Sequence, residues 1–155
     1  MNIDIRPGDG VGPVKLGMPR SQVQAVMQAL PGAMNHADSR GKLDYYFGNS
    51  FQIEYDKADL VHFIGVSYHP GCGCTYSCQG RNLFDIPAEE LFQWFALMDG
   101  EPQQHTFNRN EYLFPNIIVT LWGADTQYDY YGGETREVYA QVGIGNASYL
   151  RACHK

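Results

Sequence analysis

The chain has 155 residues, of which 44% are apolar, 14% aromatic and only 18% charged, enough hydrophobic surface for one folded unit and too much for a disordered chain. Eleven Lys and Arg face 17 Asp and Glu, a formal charge of −6, which argues against phosphate-driven nucleic-acid binding and favours a basic or neutral partner. The longest nearly apolar stretches, Leu91 to Met98 and Ile117 to Trp122, fall far short of the roughly 20 residues that cross a bilayer as a helix.

The start, Met1-Asn2-Ile3-Asp4-Ile5-Arg6, lacks the positive head, apolar middle and small-residue cleavage site of a secretory signal, so a cytoplasmic location with reduced cysteines is expected. Residues 2 to 6 read as a first strand. The glycines and prolines from Pro7 to Pro13 read as a turn; no helix opens after them, so they do not form a phosphate loop. Val23, Val26, Met27 and Leu30 recur at helical spacing before Pro31-Gly32, which predicts a short amphipathic helix. Tyr45 to Phe47, Phe51 to Tyr55 and Val61 to Tyr68 alternate like strands of a meander, and His69 to Asn82 reads as loop.

The pattern then starts again. Pro87-Ala88-Glu89-Glu90 reads as a helix start, with acids near the positive end of the helix dipole. Leu91, Phe92, Phe95 and Met98 form its buried stripe. Trp94 and Leu97 widen the apolar arc, which suggests a helix wedged between two halves. Strands follow at Tyr112 to Phe114, Ile117 to Leu121 and Glu137 to Ile144. Phe51, Ile53 and Tyr55 line up with Ile117, Val119 and Leu121, which suggests a degenerate duplication. The expected fold is α+β: a single domain, 1–155, of two tandem helix-plus-antiparallel-meander units, 1–82 and 83–155, with helices on one face of the sheet. Val23, Met27, Ile53, Ile64, Phe92, Phe95, Val119 and Val142 are the expected core.

Charge is regional. From Asp85 to Glu137 there are ten acidic and two basic residues, a local sum of −8. Such a segment either solubilises the domain or steers a positive protein partner. Within it, Gly123 to Arg136 reads as an insertion carrying Asp125, Tyr128, Asp129, Tyr130, Tyr131 and Glu134. Tyrosine offers large amphipathic contact area with few torsions to freeze, so these six are the candidate partner-binding residues. The alternative is a plain long hairpin whose tyrosines fold back onto the sheet.

His69-Pro-Gly-Cys72-Gly-Cys74-Thr-Tyr-Ser-Cys78 is the second cluster. Cys72, Cys74 and Cys78, with a histidine or Cys153, could supply a tetrahedral zinc set, although the spacing is not that of paired knuckles. A reduced cysteine loop with no cofactor is the plainer expectation. Cys72 with His69, or Cys78 with His62, are the only nucleophile and base pairs worth naming. His36 and His105 read as surface residues. No pair of carboxylates is spaced for acid–base work.

The run Gly10-Val-Gly-Pro-Val-Lys-Leu-Gly-Met18-Pro-Arg-Ser-Gln-Val23 resembles the opening of small bacterial proteins in which a strand ends in Gly-Met and a helix follows. It is similar to the repeat unit of the β-lactamase inhibitory proteins and of small lipoproteins of outer-membrane assembly, and in its Gly-x-Gly-Pro form to immunity partners of polymorphic toxins. The resemblance covers at most fourteen residues, and the second half lacks the Gly-Met. It implies a fold that binds and blocks other proteins rather than one that catalyses. Together with the −8 segment, the inserted loop and the missing catalytic constellation, it leads to the expectation of a non-enzymatic immunity protein that binds and sterically inhibits a cognate toxin with a basic surface, with no nucleic-acid or membrane partner. A structural zinc module is the alternative expectation.

Overall fold

The computed structural model describes residues 1–33, 41–69, 71–128 and 135–154. Among these residues three α-helices and two β-sheets make a mixed α+β fold. The smaller sheet is built around β1 (Asn2–Arg6). The hairpin β2 (Gly10–Val11) and β3 (Val14–Lys15) lies antiparallel on one side of it, and β7 (Thr75–Cys78), followed by β8 (Arg81–Asn82), lies parallel on the other. The larger sheet runs β4 (Leu43–Tyr46), β5 (Phe51–Tyr55), β6 (Val61–Ser67), β11 (Thr135–Gly145), β10 (Val119–Tyr128), β9 (Glu111–Phe114), antiparallel throughout.

Helix α1 (Arg20–Gln28) precedes β4, and α2 (Ala88–Asp99) precedes β9. In α1 the helical stripe buries Val23 and Met27. Helix α2 starts after Pro87, with Glu89 and Glu90 in its first turn, and stops at Gly100, whose φ of 85° suits glycine. All eight expected core residues are buried. They belong to one cluster in which the inner face of the larger sheet meets the smaller sheet, α1 and α2. Phe51 of β5 lies 6.3 Å from the Tyr76 ring of β7, and Phe92 of α2 lies 5.1 Å from Phe114 of β9.

Three local expectations need correction. His69 to Asn82 holds β7 and β8 rather than loop alone, because β7 pairs with β1, a partner too remote for local alternation to reveal. The helix α3 (Ala147–Cys153) was not foreseen; Asn146 caps it by accepting the Tyr149 N–H. Leu97 is 65% exposed, so α2 is not apolar all round or wedged between halves; it lies against β9, β10 and β11.

The outer face of the larger sheet carries α3 across β6 and β11. Glycine makes this possible. Gly65 and Gly143 are register partners at the sheet centre. A Cβ on Gly143 would stand 2.3 Å from Cζ of Phe63, and one on Gly145 would stand 2.6 Å from Cδ1 of Tyr149. Without those methyls, the two rings reach the sheet and stack on each other at 4.6 Å.

Candidate functional site

Of the six residues expected to bind a partner, the structure describes Asp125 and the backbone of Tyr128, both on β10. Strand β10 continues through Tyr128 and β11 resumes at Thr135, so much of the expected insertion is paired strand. Asp125 is exposed, and its carboxylate accepts the Thr126 N–H at 2.7 Å. The Tyr128 side chain, and Asp129, Tyr130, Tyr131 and Glu134 altogether, lie outside the described residues.

The regional sum of −8 already sets Arg109 and Arg136 against two of its acids, and only Arg81, from outside the segment, neutralises another. Asp85 pairs with Arg136 at 2.7 Å, Glu137 with Arg109 at 2.7 Å, and Glu90 with Arg81. Asp99 is buried: it accepts the N–H groups of Asn116 and Ile117, each at 2.8 Å, and faces Nε2 of His105 at 3.0 Å. Glu89, Glu101, Glu111 and Asp125 are exposed and have no ion pair among the described residues.

Sequence reasoning also misplaced His105. Its side chain is buried, with Nδ1 2.6 Å from the Tyr112 hydroxyl and the ring 5.1 Å from Phe114. The Asp99–His105–Tyr112 chain thereby ties the end of α2 to β9 and to the turn before β10. His36 lies outside the described residues. His62 meets Glu54 at 2.7 Å and Ser148 at 3.4 Å; its described contacts do not include Cys78. His69 and Cys72 share a backbone bond, Cys72 N–H to the His69 carbonyl.

All four cysteines are free thiols. The Cys74 N–H points at Cys72 Sγ, 3.4 Å away. Burial, reinforced by the Cys72 sulfur, pushes the Cys74 thiol up to about 11. Burial, with Asp4 nearby, does the same to Cys78. Such thiols are poor nucleophiles at neutral pH. No group of three or more His, Cys, Asp or Glu is arranged to hold a metal among the described residues. Cys153 sits on α3 beside Tyr149, on the outer face.

That outer face holds the most distinctive surface. Alternation along β10 buries Val119 and Leu121 and turns Thr120 and Trp122 outward. Trp122 is 55% exposed, an unusual position for the largest side chain. It borders a cleft of about 560 Å³ lined also by Glu54, Glu111, Gln141, Tyr149 and Cys153. On the other side of α3, a cleft of about 510 Å³ gathers Lys42, Lys57, His62 and Arg151. Trp122 was legible in the alternation of Ile117 to Leu121, but Glu54 and Tyr149 meet it only through the β6–β11 junction and α3.

No family model, curated protein or solved structure matches the chain. Among the described residues, no helix is long and apolar enough to cross a membrane.

Proposed function

We propose that the chain is a non-enzymatic binding protein of the immunity type, which blocks a basic bacterial toxin enzyme in the cytoplasm by occupying its surface with the outer face of the larger sheet. The observation that carries this reading is Trp122, half out in solvent beside Glu111 and Glu54 on a sheet face that α3 covers only in part. An exposed tryptophan in a concave, acidic setting is the composition of a binding hot spot.

The tandem reading of the fold draws support from strand register. The pairs Tyr46 with Phe51, Phe51 with Val66 and Ile53 with Ile64 have counterparts in Phe114 with Val119, Val119 with Ile144 and Leu121 with Val142. The same spacing carries Pro19, Val23 and Met27 onto Pro87, Leu91 and Phe95. It matches Phe51 with Val119 rather than with Ile117. The β7–β8 hairpin would then correspond to β2–β3 and open the second unit, which moves the boundary from Asn82 to a point before Thr75. Two such units form one broad sheet whose outer face is larger than either could offer alone.

The test is functional rescue. A basic protein captured on this chain from a lysate of its native organism should arrest growth when expressed alone, and co-expression of this chain should restore growth, with stoichiometric loss of that protein's activity in vitro. A captured protein that keeps full activity when saturated would overturn the inhibitor reading.

A further inference from the structure

We propose that the cleft between α3 and the β9–β10 edge is a receptor for a guanidinium, and that the partner inserts an arginine side chain there. This rests on the protein-binding reading above and names the chemistry of its central contact. The cleft is rich in acceptors: the carboxylates of Glu54 and Glu111, the Gln141 amide and the Thr120 hydroxyl line it, and no Lys, Arg or His does. Glu111 has no ion pair among the described residues, while Glu54 shares one carboxylate oxygen with His62. Both acids act on one ring: ionisation of Tyr149 is opposed first by burial, then by Cys153, then by Glu54 and Glu111.

The aromatic surface selects among cations. Trp122, cross-strand partner of Glu111 and exposed, offers an indole on which a planar, weakly hydrated guanidinium stacks while its N–H fork reaches carboxylates; Tyr149, itself stacked on Phe63, lines the same cleft. An ammonium is compact and strongly hydrated, and it presents no flat face to a ring. A quaternary ammonium has no N–H and would leave the acceptors unsatisfied. The cleft across α3 is mixed in charge, with Asp56 beside Lys57 and Arg151 and with Lys42 paired to Asp59, so a lining that holds carboxylates and no cation is found on the Trp122 side of the helix.

The probe is a short neutral-ended peptide, acetyl-Gly-Arg-Gly-amide, titrated into the full chain and followed by the indole N–H resonance of Trp122, with the citrulline and trimethyllysine peptides as comparisons. One side chain should bind in the millimolar range, with a saturable shift at Trp122, and Glu54→Gln with Glu111→Gln should weaken it by about tenfold. The amide spectrum of that variant should otherwise be unchanged. Absence of a saturable shift, equal binding of citrulline, or tighter binding of trimethyllysine would overturn the proposal. The native partner separates this idea from the broader one. If Glu111→Gln leaves the partner's affinity intact but Trp122→Ala abolishes it, the arginine pocket fails and the open-face reading stands; if neither matters, both fail.

Discussion

Asp44 is fully buried on β4 and holds Arg20 of α1 through two contacts, Nη2 at 2.8 Å and Nε at 3.3 Å, while it accepts the Tyr55 hydroxyl at 2.7 Å. The carboxylate raises the Arg20 guanidinium, chiefly by that hydrogen bond, and burial followed by Asp44 pushes the Tyr55 hydroxyl well up. Removing one partner of such a pair strands the other, so Asp44→Ala should cost about 3 to 5 kcal/mol in urea unfolding. Tyr55→Phe, which removes one bond to a charged group, should cost about 1.5 to 3 kcal/mol. A loss under 1 kcal/mol for Asp44→Ala would mean that the pair is solvated. None of this was visible in the sequence, where Arg20 and Asp44 stand 24 residues apart and no local periodicity links them.

The thiols give a residue-scale test with a definite sign. In the folded chain, Cys74 and Cys78 are pushed from 9.0 to about 11. Between those values the unfolded chain releases protons that the folded chain retains, so their stabilising contribution is full below about pH 9 and is lost as pH rises toward 11. Denaturation midpoints measured from pH 8 to 11 should fall, and should fall less in Cys78→Ala relative to its own value at pH 8. At pH 8 an aromatic disulfide reagent should modify exposed Cys153 quickly and Cys78 only on unfolding; rapid labelling of Cys78 would contradict its burial.

At the scale of elements, α3 depends on missing methyls. Gly145→Ala would push a carbon into the Tyr149 ring and Gly143→Ala one into Phe63; each should cost about 1 to 3 kcal/mol. Because Tyr149 anchors α3, Gly145→Ala should also raise amide exchange in residues 147–153 more than in β5. Uniform exchange across both would mean that α3 is held by something else. The helices α1 and α2 and the strands β5, β6 and β11 could be read from the sequence, because 3.6- and two-residue periodicities are local. The strands β7 and β8 and the helix α3 could not, because a parallel partner, glycine clearances and a seven-residue helix leave almost no periodic trace.

For the whole molecule, the charge arithmetic shows what a linear sum hides. Of the ten acids between Asp85 and Glu137, two are cancelled by the segment's own arginines, Glu90 is paired with Arg81 from outside it, and Asp99 is enclosed as a backbone anchor. Glu111, one of the exposed acids, joins Glu54 from outside that segment beside Trp122. The core residues were legible in the sequence, while the outer face emerged only where β6 and β11 joined the two meanders edge to edge. Leu97 on α2, 65% exposed, is the competing apolar surface.

Site-specific photo-crosslinking decides between them. With a benzophenone side chain placed at position 153, which lines the Trp122 cleft, or at position 97, the account predicts covalent capture of one basic partner from position 153, suppressed by Glu111→Lys, and none from position 97. Capture from position 97 with none from position 153 would contradict it.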